Sequence, residues 1–556
     1  MRKVRKPKRN KKDGLVKEMN PVMEAKIDTI FDQWRQGVCP GGQVLIRRGS
    51  EIIYDKCFGY ANLEHKLPVT GDNVFHVASV SKQITVMCIL LLQEDGKLAI
   101  DDDIREYIGD LVAFQEPVSI RNLMNNVSGI RDQWELLMIQ GVRIDDTITQ
   151  EDAKGVIRSQ TDLNFPPLSR YMYSNSNFTL LAEIVERVAG QTLNDFAKER
   201  IFGLLGMEHT CFKDRYWQIV SNRADSYRPN GTEFVHAVLN YGTYGATSLN
   251  TTATDFMKWM ENLKTPVICK QETLQLLFAY PILSDGTISH YAGGLSVDDP
   301  NQHAGRPFIS HGGADAGFRS YIVRMTEDDL DIVLFSNTEN IQLEVAAEKI
   351  AAIVMGYEEE TNQEVVDMPD FYTEDFDEND APGKYYTKGD APILADIVKK
   401  DGQLYMLQEY GAVLLVHKYG NCFEVGPFEY EVFLGKQAGM RYGARDIPFE
   451  KWRPTSKSRE ELDRYTGKYR CTELETTYEV IEENGLLCLS HRRNGKHPLV
   501  QTADDEFITG GGENLVALRL TFTRGADGTG KGFELSTGRV KNIAFSRQDL
   551  FSCVES

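Results

Sequence analysis

A serine and a lysine stand one helical turn apart where the apolar stretch "FHVASVSKQITVMCILLLQEDGKL" (residues 75–98) becomes helical. Ser79 precedes Lys82 by three positions, which places both side chains on the same face of a helix. Burial disfavours the charged form of a lysine, and the neutral amine can then take a proton from a neighbouring hydroxyl. Free N–H groups at the start of the helix can stabilise an oxyanion. The pair therefore predicts acyl transfer, with Ser79 as nucleophile and Lys82 as base.

The helix that carries this pair is predicted to be buried nearly all round. Apolar side chains over residues 84–92 follow one helical face and also fill the remaining sides, and Gly96 ends the helix. Burial of a charged lysine in such a helix is unfavourable, which indicates a functional role for Lys82. The alternative is an exposed N-cap serine beside a lysine whose charged end reaches water, because matches to S-x-x-K also arise by chance.

A second motif, Tyr173-Ser174-Asn175, lies in "RYMYSNSNFTLLAEIVERVAG" directly before a predicted amphipathic helix. The phenol of Tyr173 can share proton transfer with Lys82, and the amide of Asn175 can hold a substrate carbonyl. The alternative is a tyrosine that packs at a loop.

A third motif, His311-Gly312-Gly313, precedes a predicted strand in "FISHGGADAGFRSYIV". Glycines let the backbone approach a ligand closely, and a strand edge can exchange hydrogen bonds with it. The alternative is a turn with an incidental histidine. The three motifs in this order favour one shared site over three coincidences.

Strands at both ends of residues 21–357 are predicted to hold these motifs in place. "GGQVLIRRGSEIIYDKCFGYA" predicts one hairpin, and "FRSYIVRMTEDDLDIVLFSN" predicts another, followed by a helix at 341–356. Helices are predicted between the hairpins. This pattern predicts an α+β catalytic domain, with an antiparallel sheet closed by its termini and flanked by helices.

The composition changes after this domain. Residues 358–380 form a predicted acidic linker, since eleven Asp/Glu and no Lys/Arg occur from Tyr357 to Asp380. Short alternating runs then predict β-structure, and "APGKYYTK" at 381–388 recurs as "YTGKYRCT" at 465–472. Two copies of roughly 85 residues predict two small antiparallel, lipocalin-like β-barrels, at 381–455 and 456–556. "GADGTGKG" (525–532) is predicted to be a hairpin tip, not a phosphate loop.

The overall charge excludes nucleic acid as a main partner, because the 556-residue chain has a formal net charge of −20. Residues 1–20 are the exception: "MRKVRKPKRNKK" contains eight Lys/Arg and no acid. We predict a disordered tail there, with a localisation signal or a tether to an anionic surface as alternatives. No apolar run reaches the roughly 18 residues of a membrane span.

Cysteine and histidine usage predicts a cytoplasmic protein without a metal. The nine cysteines are scattered, odd in number and without a CxxC pair, which is typical of reduced thiols. The ten histidines form no HExxH or HxH pattern. We predict no cofactor and a small-molecule or short-peptide substrate, and we leave a homodimer open.

Together the three motifs resemble those of the serine β-lactamase and penicillin-binding-protein superfamily, on its class C side. The resemblance covers about residues 20–356 and is greatest to the D-stereospecific aminopeptidases, which share His-Gly-Gly and append two β-barrel domains. It implies acylation of Ser79, with Lys82 and Tyr173 as base and acid. It also implies an oxyanion hole formed by the N–H groups of Ser79 and Ala314, and substrate orientation by two further side chains, Asn175 and His311.

Two departures from the family pattern affect the predicted substrate. "FPPLSRYMYSN" replaces the usual Pro-Gly before Tyr173, so the local loop can differ. His311 stands where many relatives have lysine, and a neutral histidine weakens binding of a carboxylate. This favours aminopeptidase or esterase chemistry over β-lactamase or DD-carboxypeptidase chemistry.

The predicted function is a serine hydrolase that cleaves a small amide or ester, with an N-terminal D-amino acid as the favoured substrate element. The alternatives are a carboxylesterase or penicillin-binding type of protein with the same motifs, and a non-catalytic scaffold of the same fold. In the aminopeptidase relatives a barrel loop reaches the cleft. We therefore expect an acidic group, from residues 357–380 or from a barrel loop, to attract a substrate ammonium.

Overall fold

A computed structural model gives the fold of the chain. Residues 1–18 of the predicted tail, 357–367 of the acidic linker and 526–529 of the "GADGTGKG" hairpin lie outside the described residues. The described residues are 19–111, 114–230, 233–300, 302–356, 368–387, 392–400, 402–408, 411–425, 431–442, 445–453, 458–511, 515–525 and 530–548.

A seven-stranded antiparallel sheet forms the centre of the N-terminal domain, residues 21–356. The first two strands pair with the last hairpin, since Gly42–Arg48 runs antiparallel to Leu330–Ser336. The N- and C-terminal ends of the domain thus close one sheet, as predicted. In spatial order the strands are Tyr291–Ala292, Leu295–Val297, Phe308–Asp315, Phe318–Met325, Leu330–Ser336, Gly42–Arg48 and Glu51–Phe58.

Helices cover both faces of this sheet. Phe31 and Trp34 pack with the terminal helix Leu343–Met355 on one face, while the larger apolar cluster around Lys82–Glu94 lies on the other. The α-helices of the domain are Pro21–Ile30, Lys82–Glu94, Ile120–Met124, Gln133–Gln140, Gln150–Arg158, Asn175–Ala189, Leu193–Ala197, Gly203–Leu205, Ala253–Asn262, Gln271–Leu277 and Leu343–Met355.

Short 3₁₀ and π turns and small sheets complete the domain. The 3₁₀ turns are Asp32–Arg35, Ala78–Ser81, Ile104–Glu106 and His303–Gly305, and a π turn spans Lys198–Phe202. The small sheets pair Tyr60–Asn62 with Leu67–Pro68, Ile148–Thr149 with Tyr241–Gly242, Tyr227–Asn230 with Glu233–His236, and Leu249–Thr251 with both Phe75–His76 and Cys211–Phe212.

The helix Lys82–Glu94, called the central helix below, is buried as predicted. Every residue from Lys82 to Leu92 is buried, including the lysine. Gly96 has φ +71° and lies two residues beyond the last helical residue, a conformation that glycine adopts without the strain of a Cβ.

The first barrel closes on itself with eight antiparallel strands. Its last strand pairs with its first, Tyr385 opposite Lys451, which removes exposed sheet edges. A 3₁₀ turn, Glu378–Asp380, precedes it. The strands are Gly383–Tyr386, Leu394–Lys400, Gln403–Gln408, Gly411–Tyr419, Cys422–Val425, Glu431–Phe433, Ala438–Tyr442 and Arg445–Lys451.

The second barrel is a nine-stranded antiparallel sheet, preceded by the short helix Arg459–Asp463. Its two end strands are neighbours in sequence, so the sheet is nearly closed. The strands are Gly467–Cys471, Thr476–Glu483, Leu486–His491, Gly495–Pro498, Val500–Ala503, Glu506–Thr509, Leu518–Arg524, Gly530–Ser536 and Ile543–Arg547. The α+β domain followed by two small antiparallel barrels confirms the predicted fold class, whereas the precise domain boundaries stay predictions.

The second barrel shares a hydrophobic core with the N-terminal domain. Leu136, Leu137 and Ile139, on the helix Gln133–Gln140, belong to the same buried cluster as the interior of this barrel. The Tyr478 hydroxyl donates to the Ile139 carbonyl at 3.0 Å. The second barrel is therefore fixed directly against the helix Gln133–Gln140. Among the described helices, none is both long and apolar enough to cross a membrane.

Candidate active site

Ser79 lies in the 3₁₀ turn Ala78–Ser81, which runs directly into the central helix. Ala78 has φ +47°, a left-handed conformation that costs a residue with a Cβ on the order of 1–3 kcal/mol. The Ser81 hydroxyl holds this turn by donating to the Ala78 carbonyl at 2.5 Å and accepting from the Leu249 N–H at 3.0 Å. The fixed turn brings Ser79 to the wall of a cavity.

Lys82 is fully buried, and its amine is surrounded by three oxygen atoms. Nζ lies 2.7 Å from the Ala246 carbonyl, 2.9 Å from Oδ1 of Asn175 and 3.0 Å from Oγ of Ser79. The first two oxygens can only accept hydrogen bonds. A neutral amine has two N–H groups for them, which leaves its lone pair directed at the Ser79 hydroxyl.

The surroundings of Lys82 favour this neutral form. Burial lowers its pKa well below the ordinary value for lysine, and the nearby positive charge of Arg539 lowers it further, although Asp132 opposes the shift. The neutral amine has a lone pair that can accept the Ser79 proton, whereas a charged ammonium has none. This is the arrangement that the serine and lysine spacing predicted.

The phenol of Tyr173 completes a group of three around Ser79. Burial raises its pKa, and a hydrogen bond with Ser79 partly offsets that rise. The Lys82 amine lies 4.8 Å above the centre of the Tyr173 ring. The hydroxyl of Ser79, the amine of Lys82 and the phenol of Tyr173 thus converge, so a proton can move among them over short distances.

Asn175, which we expect to hold a substrate carbonyl, also has partners inside the protein for both ends of its amide. Oδ1 accepts from Lys82, while Nδ2 donates to Oδ2 of Asp132 at 2.8 Å. Asp132, which is fully buried, also accepts from the Asn175 backbone N–H at 2.7 Å. Asn175 therefore holds the Lys82 amine in position, and Asp132, which the sequence did not single out, holds Asn175.

The strand Phe308–Asp315 forms the opposite wall, and its two glycines have different surroundings. Gly312 and Ala314 are exposed to the cavity. A Cβ on Gly313 would come within 2.4 Å of the Val77 carbonyl oxygen and 2.3 Å of the Ser320 hydroxyl. Gly313 thus lets the strand pack against the residues before the nucleophile, whereas we expected both glycines to serve ligand approach.

His311 is a neutral side chain in this wall. Burial lowers its pKa to about 3, and the proximity of Lys82 lowers it further. Nδ1 lies 2.5 Å from the Gly312 carbonyl, which can only accept, so the ring proton lies on Nδ1 and Nε2 accepts from the Tyr291 hydroxyl at 3.2 Å. In this neutral form His311 carries no positive charge toward the cavity.

The cavity that joins these groups has a volume of about 670 Å³. All eight residues predicted from the sequence belong to the site: seven line the cavity, and Lys82 lies behind Ser79. Other lining residues come from the helix Gln133–Gln140, from positions 144 and 241, from the strands Phe308–Asp315 and Phe318–Met325, from the region 339–344 and from the second barrel. These include Trp134, Met138, Ile144, Tyr241, Asp315, Arg319, Tyr321, Glu339, Glu344 and Arg539.

Most charged groups on the cavity wall already have partners. Burial opposes ionisation of Asp315, but hydrogen bonds from His76, Tyr241 and Thr247 keep the pKa of Asp315 below its ordinary value. Arg319 is paired with Glu339. Burial raises the pKa of Glu344, and so does the charge of Glu348.

Arg539, from the second barrel, is a basic residue on this wall. Its guanidinium lies 5.1 Å over the ring of Tyr173. We expect an acid from a barrel loop or from residues 357–380. Among the described residues that line the cavity, the barrels contribute this arginine, and residues 357–367 lie outside the described residues. Within the described part of the chain, no cluster of three His, Cys, Asp or Glu is arranged to hold a metal ion.

Comparison with known proteins identifies the family that this fold and site belong to. Residues 26–354 match the family described as Beta-lactamase. This match covers more than half of the chain, and the chain belongs to the Beta-lactamase family.

Among its relatives are D-aminopeptidases. The D-aminopeptidase of Brucella anthropi is 28% identical over 323 residues, which cover 57% of this chain and 59% of the relative. Penicillin-binding protein 4* of Bacillus subtilis (strain 168) is 27% identical over 329 residues, 56% of this chain and 71% of that protein. The chain thus spans about three fifths of the length of the D-aminopeptidase that it matches.

Solved structures share the fold. The octameric penicillin-binding protein homologue from Pyrococcus abyssi aligns over 86% of this chain and 99% of its own, with a TM-score of 0.56 and 19% identity. A D-amino acid amidase from Ochrobactrum anthropi SV3, complexed with D-phenylalanine, aligns over 61% of this chain and 100% of its own, with a TM-score of 0.51 and 20% identity. At these identities the likeness concerns the fold.

Proposed function

We propose that this protein is a serine hydrolase that cleaves small amides through an acyl-enzyme on Ser79, and that its substrates are amides or short peptides with an N-terminal D-amino acid. The observation that carries the reaction type is the buried amine of Lys82, 3.0 Å from the Ser79 hydroxyl, with its two other neighbours able only to accept hydrogen bonds. The D-amino acid class is supported by the relatives, which include D-aminopeptidases.

The first half of the reaction forms the acyl-enzyme. Ser79 gives its proton to the Lys82 amine while Oγ bonds to the substrate carbonyl carbon. The N–H groups of Ser79 and Ala314 receive the oxyanion. The Tyr173 phenol then protonates the leaving nitrogen as the C–N bond breaks, and Lys82 returns the proton to Tyr173.

The second half releases the product. Water attacks the ester on Ser79 and gives its proton to the neutral Lys82, directly or through Tyr173. The ester bond breaks, Ser79 regains a proton, and the acid leaves. Asn175 and Asp132 keep the amine aligned through both halves.

Two measurements test this proposal. Intact mass after exposure to a fluorophosphonate probe should show one adduct, which Ser79→Ala should lack, because a non-catalytic scaffold would not be labelled. Rates on D-alanine anilide, L-alanine anilide and nitrophenyl acetate then test the substrate class. A high D-to-L ratio supports the proposal, whereas fast ester turnover without D preference would favour a carboxylesterase. No adduct and no turnover would overturn the proposal.

A further inference from the structure

Arg539 reaches the cavity from the second barrel on a tightly held turn. The turn joins the strands Gly530–Ser536 and Ile543–Arg547. The Arg539 N–H donates to Oε2 of Glu135 at 2.7 Å, and its carbonyl accepts from Nδ2 of Asn164 at 2.9 Å. Because the backbone is fixed from both sides by the N-terminal domain, the side chain has a defined direction into the site.

The hydrogen-bond donors of the Arg539 guanidinium are available to a ligand. It is half-buried and lines the cavity, yet within the described residues no carboxylate oxygen lies within 4.0 Å of it and no group accepts a hydrogen bond from it. The two carboxylates whose charges act on Arg539, Asp132 and Glu135, have other hydrogen-bond donors. Asp132 accepts from Asn175 and from two backbone N–H groups, and Glu135 accepts from Thr537 and from the Arg539 backbone.

The other bases of the site cannot act as a free cation. Lys82 faces two carbonyl-type oxygens and the Ser79 hydroxyl, Arg319 is paired with Glu339, and His311 has its ring proton directed at a backbone carbonyl. Among the described residues that line the cavity, Arg539 is thus the permanently charged donor that is left for a ligand. A guanidinium fork matches the geometry of a carboxylate.

We propose that Arg539 binds a carboxylate of the substrate, so that this enzyme selects anionic substrates over their neutral counterparts. The inference rests on the proposed function and narrows its substrate class, because it favours short D-peptides with a free carboxylate over simple D-amino acid amides. The expected acid that attracts a substrate ammonium stays a separate prediction, because residues 357–367 lie outside the described residues. A cation near Arg539 would be repelled.

Two pairs of substrates, matched except for charge, test the proposal. D-alanylglycine and D-alanylglycinamide place the carboxylate on the leaving side, and the N-succinyl and N-acetyl derivatives of D-alanine nitroanilide place it on the acyl side. In at least one pair, kcat/KM should be about 10- to 100-fold higher for the carboxylate, which is the usual effect of one charged hydrogen bond. Equal rates within both pairs would overturn the proposal.

Variants assign the preference to Arg539. Arg539→Gln should abolish the preference and Arg539→Lys should retain part of it, while Arg470→Gln, which removes an exposed arginine of the same barrel, should leave it unchanged. An Arg539→Gln variant that keeps the full preference would contradict the inference. The same holds if Arg539→Gln slows charged and neutral substrates equally, because Arg539 would then only position Tyr173.

A binding measurement separates this inference from the proposed function. In the Ser79→Ala background, calorimetry should show tighter binding of D-alanylglycine than of its amide, and Arg539→Gln should remove the difference. If fluorophosphonate labelling and turnover both fail but this difference is present, the hydrolase proposal fails and the carboxylate site stands. If labelling and ester turnover succeed without any charge preference in rates or binding, the Arg539 inference fails alone.

Discussion

The two barrels begin with the same strand but make different contacts with the rest of the molecule. In each, the tyrosine of the Gly-Lys-Tyr opening is fully buried and donates to a carbonyl four residues earlier. Tyr385 donates to Ala381 at 2.6 Å, and Tyr469 donates to Tyr465 at 2.7 Å. The repeat in the sequence is thus a repeat in structure, down to one hydrogen bond.

Their surroundings differ. Among the described residues, the apolar clusters of the first barrel contain none from the N-terminal domain, and Tyr386 meets the second barrel at Val500 and Ile508. The second barrel packs around the helix Gln133–Gln140 and extends Arg539 into the cavity. Shared sequence therefore specifies the barrel, and contact with the N-terminal domain decides whether that barrel contributes to the site.

The largest expected effect is the loss of kcat when the nucleophile Ser79 is replaced, a change that should leave both barrels folded. Ser79→Ala should lower kcat by about 10³-fold or more, as removal of a catalytic nucleophile does elsewhere. The thermal unfolding of the variant should match that of the parent, because Ser79 lies at the cavity wall. Steady-state kinetics and calorimetry measure both quantities. A variant that retained most of its amide turnover would remove Ser79 from the mechanism.

The matched tyrosines test the comparison of the barrels directly. Tyr385→Ala and Tyr469→Ala should each destabilise their own barrel by about 3–5 kcal/mol, the range for loss of a large buried aromatic side chain. Only Tyr469→Ala should also lower kcat/KM, because only the second barrel holds Arg539 in the cavity. Denaturant unfolding and kinetics at a permissive temperature measure the two effects. Equal loss of activity in both variants would contradict the division of roles.

The smallest effect concerns pH. Lys82 must be neutral to accept a proton, so activity should rise as pH increases through its lowered pKa. Removal of the Arg539 charge should raise the pKa of Lys82, since that charge lowers it, and the acidic limb of the kcat profile should move to higher pH in Arg539→Gln. A neutral ester serves as substrate. Arg453→Gln, at the exposed end of the first barrel, should leave the profile unchanged, and an unshifted limb in Arg539→Gln would refute the coupling.

Local patterns and family resemblance predicted the parts of the site that depend on short stretches of sequence. The spacing of Ser79 and Lys82 on a buried helix predicts their contact, and the Tyr-x-Asn motif predicts that Tyr173 joins them. The alternation of strands and turns, with the repeated Gly-Lys-Tyr, predicts two barrels. Each of these inferences needs only a few residues and one rule of backbone geometry.

The remaining parts depend on contacts between distant segments. Asp132 lies in "IRDQWELL", which carries no motif, and its role follows from its contact with Asn175. Arg539 lies in the ordinary strand connection "STGRVKN", 404 positions from the Glu135 carboxylate that holds its backbone. The acidic composition of residues 357–380 suggested an acid at the cavity. Composition, however, does not specify which side chain of a docked turn faces a cavity.

The long separation between Glu135 and Arg539 has a consequence during synthesis. A ribosome adds about 5–20 residues per second, so the segment with Glu135 leaves it roughly 20–80 s before Arg539 does. During that interval the apolar side of Gln133–Gln140 has no barrel to cover it, and a nascent chain already carries the nucleophile without its carboxylate-binding residue. Substrate choice is thus acquired only when the strands on either side of Arg539 fold onto the helix Gln133–Gln140, which is made hundreds of residues earlier.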